Sequence, residues 1–433
     1  MEAPVTSPSI AVLPFSDYSS QRDQEYFCEG IAEEILNVLT KIPELRVASR
    51  TSSFRYKEES KDIRTIGAEL NVTTLLEGSV RKAGNRLRVT AQLIDVVSGY
   101  HLWSERYDRD LEDIFAIQDE IANAIASALE VTLAEKDKRS MRAISPSEIE
   151  AYEFYLRGRQ LMLQHRKAAY EGAAEMYRKA IEIDPRYARA FAGLSDVFTL
   201  TYMYIGSDEA MLQQAGEASA KAIELDPELA EAQVARGNAL ALRKNFVDAE
   251  VHFVKALQIS PSNFEANYYF GRARWAEGKA SDAVALYERA AAIQPDRYDV
   301  WGMLIELLRR EGREEDALRA TEHALEATTR HLTLFPADAR ALCYMAGVLA
   351  QEGRTEEAES YIRRGLEVGE GEGTVHYNLA CVCTYLNKLE EALDQLERAI
   401  EVGFGHREWI ENDPDLARLR NHPRFVEMMG RLR

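Results

Sequence analysis

The chain has no run of 18 consecutive apolar residues, and its first thirty residues lack a basic start followed by an apolar stretch. Neither a membrane-spanning helix nor a secretory leader is expected. Cysteine is scarce, four in 433 residues. Cys28 stands alone, Cys343 is isolated, and Cys381 and Cys383, two apart on an expected helix, point their thiols about 200° from each other. That arrangement excludes a disulfide framework and reads as reduced core thiols; a Cys-x-Cys metal site would need His or Cys partners that the neighbouring sequence does not supply. The eight histidines include no pair at i, i+4 spacing, and Gly-x-Gly-x-x-Gly, Walker and Gly-x-Ser-x-Gly motifs are missing. Neighbouring carboxylates such as Glu33-Glu34 and Glu390-Glu391 are expected on exposed helix faces rather than as an acid–base pair. The expectation is a protein that is not an enzyme and needs no cofactor or metal. Positive charge is also in deficit, with 53 Lys and Arg against 72 Asp and Glu. The imbalance is diffuse: 18 basic and 24 acidic residues up to position 146, 35 and 48 beyond it. An evenly acidic chain argues for solvated faces and against nucleic acid or an anionic membrane as the main partner.

What the chain does have is a period. Gly237, Ala249, Phe253, Ala256 and Pro261 recur 34 residues later as Gly271, Ala283, Tyr287, Ala290 and Pro295. The small residues sit where two antiparallel helices must approach closely, and each Pro stops the helix before it. Both units resemble the tetratricopeptide (TPR) repeat, which implies helix, turn, helix in each unit and a stacked solenoid. The same second-helix core extends the series to about seven units over 148–405: Ala173, Tyr177 and Ala180; Ala215, Ser219 and Ala222; Ala317, Thr321 and Ala324; Ala358, Ile362 and Gly365; Ala392, Leu396 and Ala399. Two units are too long, one by about eight residues around Tyr204-Ile205-Gly206-Ser207-Asp208, the other running on from Thr328 to Pro336. Such insertions form loops or lengthen a helix. Residues 406–433 read as capping helices, with Leu416, Leu419, Phe425 and Met428 covering the apolar face of the last repeat.

The first third is different. The apolar run Ile10 to Phe15, helical spacing from Tyr26 to Leu39, a strand at Leu45–Ser49 and a helix at Ile63–Leu70 begin an α/β layer. A hairpin follows, with Leu76, Gly78 and Val80 facing the same way as Leu87, Val89, Ala91 and Leu93 across the turn Ala83-Gly84-Asn85. A strand at Tyr100–Tyr107, with Trp103 in the core, and a long helix from Ile114 to Leu133 close the domain. The expected fold class is α/β plus all-α: a small mixed-sheet domain over 9–135, then an α-solenoid. Residues 1–8 and 136–147 read as linkers. Ser9 to Phe15, Glu25 to Ile31, Leu76 to Arg81 and His101 to Asp108 resemble the bacterial "IAVLPF" domain, similar to TolB amino-terminal and FlgO-like α/β domains. In that family the domain lies between an upstream nucleotide cyclase, protein kinase or winged-helix domain and downstream TPRs. The resemblance implies no catalytic residue set. Arg81, Arg86 and Arg88 share the polar hairpin face with Glu77, Thr90 and Gln92, as a ligand-sensing face or as a solvated one.

In a TPR array the first helix of each unit lines the inner groove. The repeat positions that point inward select Tyr152, Tyr155 and Arg159, then Arg189 and Asp196, Asn238, Tyr268, Arg272 and Trp275, Arg309 and Arg310, and Tyr377. Tyr, Trp and Arg dominate binding hot spots. Either the arginines hold a carboxylate-bearing peptide or protein, or they pair with acidic residues of neighbouring repeats. The expected function is a non-catalytic interaction and regulatory module of a bacterial signalling protein. The alternatives are the regulatory part of a cyclase or kinase whose catalytic domain lies elsewhere, and a periplasmic envelope scaffold. A cytoplasmic location is expected, periplasmic if an upstream anchor is missing, and a homodimer through an edge strand or solenoid end stays open.

Overall fold

The computed structural model describes residues 8–432 except 20–22, 41, 43–44, 49, 58–60, 130–145, 165 and 207. Nearly all of both expected linkers lies outside the described residues. The contacts divide the chain into two compact units, one running to Gly193 and including Ser260–Ser262, the other made of the remainder.

The first unit holds the sheet. The apolar run becomes β1 (Ser9–Val12), buried along its whole length because β3 (Arg46–Val47) and β4 (Thr74–Ala83) flank it in parallel. The short β2 (Ser16–Asp17) also pairs with β4. Antiparallel β5 (Arg86–Asp95) and β6 (His101–Asp110) extend the sheet in the order β3-β1-β4-β5-β6. The hairpin register sets Leu76 opposite Leu93, Gly78 opposite Ala91 and Val80 opposite Val89, the expected inward face. At Gly78 a Cβ would lie 2.7 Å from the Phe15 ring, so only glycine lets that ring pack there. Trp103 departs from expectation: β6 is the edge strand, paired with β5 on one side, and the indole is only partly buried. Helices α1 (Glu25–Leu39), α2 (Arg50–Phe54), α3 (Ile63–Leu70) and α4 (Ile114–Ala128) complete the layer, with α1 packed on α4. The part of α4 expected beyond residue 129 falls outside the described residues.

The helix pair α5 (Pro146–Met162) and α6 (Lys167–Ile183) belongs to this same unit, because α5 packs on α1. The Tyr177 ring of α6 fills the gap between Gly158 and Gly193, where added Cβ atoms would come within 2.6 and 2.7 Å of it.

Six more pairs follow: α7 (Ala188–Tyr204) with α8 (Glu209–Leu225), α9 (Ala230–Leu242) with α10 (Phe246–Ile259), α11 (Phe264–Ala276) with α12 (Ala280–Ile293), α13 (Tyr298–Arg310) with α14 (Glu314–Leu334), α15 (Ala339–Gln351) with α16 (Thr355–Gly369), and α17 (Gly373–Tyr385) with α18 (Leu389–Glu401). Seven pairs are thus present among the described residues, with the second-helix core alanines buried throughout. Where Ser219 and Thr321 replace the aromatic, each hydroxyl donates to the carbonyl four residues back, at 2.8 and 2.9 Å, so the buried polar atom is satisfied. The surplus residues lengthen helices: α7 has 17 residues and α14 has 21, against 13 in α9 and α11. Helices α19 (Arg407–Asn412) and α20 (Pro423–Arg431) end the chain, and Leu416, Leu419, Phe425 and Met428 are buried against α17 and α18. No helix among the described residues is long and apolar enough to cross a membrane.

Candidate functional site

The residues expected to line one groove separate into two environments. In the first unit they form a buried seam between α5 and α1. Tyr152 is 1 % exposed, edge-on to Phe27 and in hydrogen-bond contact with Gln118 through its hydroxyl at 3.3 Å. Tyr155 packs against Tyr177 and Tyr187. Arg159 pairs with Glu33, which Arg50 Nε also approaches at 3.2 Å, and Arg189 meets Glu34 at 2.8 Å. Tyr152, Tyr155 and Arg189 do not face an open groove, while Arg159 stays 34 % exposed beside Glu29, Glu33 and Arg50. Nor do Glu33 and Glu34 face solvent as expected, being 8 % and 3 % exposed. The cause is the same for both corrections: α5 lies on the polar side of α1, which helical periodicity alone assigns to water.

In the second unit the inner helices do share a surface, and the chain itself occupies much of it. Asn238 is buried, its amide donating to Thr199 Oγ1 at 3.3 Å, so it braces α9 on α7 rather than facing a partner. Asp196 is half-buried on α7. Tyr268 packs between Phe264 and Tyr287, and burial pushes its hydroxyl well above the usual range. Arg272 lies between Met203, which its guanidinium contacts, and the Trp409 ring, 5.2 Å from the centroid. Arg310 covers Trp275 at 5.7 Å and meets Glu306 at 2.6 Å, while Arg309 meets Gln351 at 2.6 Å and Glu352 at 3.0 Å. Tyr377 stacks on Phe404 and donates to Asp413. The hairpin arginines are likewise engaged, Arg86 and Arg88 with Asp108 and Arg81 with the Tyr18 carbonyl.

Sequence reasoning missed Tyr202, Met203 and Tyr204, and the tail residues His406 and Trp409. The His406 ring stacks on Trp409 at 4.2 Å and stands edge-on to Tyr202 at 5.1 Å. Burial there depresses the imidazole to about 4. Arg340 covers the Tyr204 ring at 4.3 Å, and Thr374 of α17 donates to the Tyr204 carbonyl. The signal available was the surplus length of the second unit, where the lengthened α7 ends in Tyr202, Met203 and Tyr204.

An acidic cluster lies where the tail meets α17. Tyr385 donates to Asp415 at 2.6 Å, and Cys381 lies 3.9 Å from Asp413. Burial, then Asp413, pushes the Asp415 carboxyl up to about 6; burial, then Asp415, pushes Glu306 up to about 7. Among the described residues, Cys381, Asp413 and Asp415 are the one group whose donor atoms, within 4.8 Å of each other, could share a cation. The hydrogen bonds just described already engage them within the chain.

Family models described as tetratricopeptide repeat match residues 274–331 and 338–402. A relative from Rhizobium meliloti (strain 1021), provisionally named adenylate cyclase 3, is 47% identical over 188 residues, covering 43% of this chain. The match spans 32% of that relative's own length. Among solved structures, the human IFIT1 dimer with m7Gppp-AAAA is 16% identical at a TM-score of 0.46, covering 66% of this chain and 64% of that one. Pseudomonas aeruginosa pilF is 20% identical at 0.38, covering 52% and 95%. YrrB, described as a TPR protein with an unusual peptide-binding site, is 27% identical at 0.29, covering 43% and 93%.

Proposed function

We propose that this chain is a non-catalytic module that binds a protein or peptide partner through its TPR helices and regulates the signalling protein or assembly it belongs to. The observation that carries this reading is the run of TPR helix pairs, matched by repeat models from the end of α11 into α14 and over α15–α18. Their inner helices present Arg309, Arg310 and Trp275 at positions still reached by solvent. Arginine and aromatic side chains in a partly desolvated setting are the usual anchors of an interface. A carboxylate-bearing partner would exchange its own carboxylates for Glu352 and Glu306 on Arg309 and Arg310. The α/β layer we read as the TolB amino-terminal and FlgO-like type, on the motif residues of β1, α1, β4 and β6, and as a second regulatory surface.

The test uses the full chain, immobilised as wild type and as the double variant Arg309→Glu and Arg310→Glu. Proteins captured from a bacterial lysate are identified, purified, and titrated by calorimetry. At least one is expected to bind the wild type saturably and the variant at least tenfold more weakly. Equal affinity for both chains, or no saturable binder, overturns the reading.

A second reading is favoured by the cyclase-named relative: the module is the regulatory portion of a nucleotide cyclase. The separating observation is whether a cyclase catalytic domain is encoded in the same reading frame. If it is, cyclic nucleotide production is expected to respond to the Arg309→Glu and Arg310→Glu changes.

A further inference from the structure

The tail does two separable things. Leu416, Leu419, Phe425 and Met428 cover the apolar face of α17 and α18, and Arg424 binds Glu390, Asp394 and Glu397 along α18. That is the work of a cap on the last repeat. His406 and Glu408 are not part of that cluster, and Trp409 packs only against its edge. Instead they reach helices of earlier repeats: Trp409 to Arg272 on α11, His406 to Tyr202 on α7, and Glu408 to Lys244 just past α9, at 2.6 Å and 164 residues away in sequence. Asp413 and Asp415 accept from Tyr377 and Tyr385 at the same surface.

The pairing is complementary throughout. The inner helices supply cations and hydroxyl donors, while residues 405–415 supply an indole and the carboxylates Glu408, Asp413 and Asp415. The rim of this contact is weakly held, since Lys244 and Glu408 are both about two-thirds exposed, and exposed ion pairs exchange readily with solvent. His406 is 4 % exposed beneath the partly buried indole, and Ile410, in the same short helix, is buried in the cap.

We propose that residues 405–415 are a resident stand-in: the inner face of α7, α9, α11 and α17 takes an acidic segment with an indole anchor from a partner protein, which enters by displacing this stretch of the chain's own tail. This rests on the reading of the chain as a TPR interaction module and names the partner's chemistry, an acidic, Trp-bearing peptide that sets its ring on Arg272 and its carboxylates on Tyr377, Tyr385 and Lys244.

The probe is a fluorescein-labelled synthetic peptide of residues 405–415, titrated against full-length chains by anisotropy. Wild type is expected to bind weakly because the resident tail competes. Trp409→Ala, which removes the anchor, is expected to bind the peptide at least tenfold more tightly, and adding Arg272→Ala to it abolishes the gain. Glu408→Lys, a rim change that leaves the packing intact, is expected to tighten binding a few-fold and serves if Trp409→Ala misfolds. Hydrogen exchange of Trp409→Ala should rise in residues 407–412 and stay unchanged in α17 and α18. Equal peptide affinity for wild type and both tail variants overturns the proposal. So does a rise in exchange throughout α17 and α18, which would make the contact part of the cap. A captured partner that is lost with the Arg309→Glu and Arg310→Glu changes, yet binds Trp409→Ala and Glu408→Lys as it binds wild type, leaves the module's function standing and sinks this inference. A tail peptide that behaves as expected, with no partner captured, does the reverse.

Discussion

At the scale of single residues, the decisive feature is where ionisable groups lose water. Glu306 and Asp415 hold their protons up to about 7 and about 6, because burial, and then a neighbouring carboxylate (Asp415 for Glu306, Asp413 for Asp415), disfavours the charged form. In the unfolded chain each ionises near roughly 4. Between those values the folded state binds more protons, so the stability these groups confer at acid pH is lost as pH rises through about 7. Glu306→Gln is expected to flatten that decline, seen as a urea midpoint that changes less between pH 5 and 8 than in wild type. His406 works in the opposite sense. Its imidazole stays neutral to about 4 in the fold, against roughly 6.5 unfolded, so its contribution is present above the unfolded value and is lost as pH falls through the folded one. His406→Phe is expected to remove that acid-side loss, measured as thermal midpoints at pH 4 and 6. In the first unit, Glu34 is 3 % exposed and faces Arg189. Arg189→Ala takes away a buried cation and is expected to cost about 3–5 kcal/mol, while Arg189→Met combined with Glu34→Leu recovers most of it. Chemical denaturation of the single and double variants checks both.

At the scale of elements, the helix pairs rest on close approach. Tyr177 sits between Gly158 on α5 and Gly193 on α7, and nothing larger than hydrogen fits on either side. Gly158→Ala is expected to destabilise by about 1–3 kcal/mol through overpacking, and Tyr177→Leu in the same chain to recover part of the loss, read from denaturant midpoints. Tyr177 was legible as part of the recurring second-helix core, whereas the sequence pattern did not mark Gly158 or Gly193. The hairpin β4–β5 was legible for a similar reason: alternation over ten residues admits one register that buries Leu76, Val80, Val89 and Leu93 together. The buried state of Glu33 and Glu34 was not, since the period of α1 says which face is polar and not what polar surface will be laid against it.

At the scale of the whole molecule, a solenoid is stabilised by nearest-neighbour contacts, so damage at one end stays local. Removing residues 406–433 uncovers Leu393, Leu396 and Phe404, which the tail now buries. Faster hydrogen exchange is expected in α17 and α18, with protection in α1, α4 and β4–β5 unchanged. An effect that spread into the sheet would contradict nearest-neighbour behaviour.

The sequence by itself determined the fold class, the α/β layer followed by seven helix pairs, and the residues at which helices touch, because period, small residues and helix stops are local signals. Which of the candidate groove residues face a groove was decided only in three dimensions. Tyr152, Arg159 and Arg189 meet α1, Tyr155 packs on Tyr177 and Tyr187, and Arg272 and Tyr377 meet the tail. The contacts with α1 and that of Arg272 with Trp409 span more than a hundred residues, Tyr377 meets Asp413 36 residues on, and no repeat-position rule contains them. A repeat encodes the contact with its neighbours in its own spacing; contacts between segments so far apart are selected by the surface that remains once those repeats have packed.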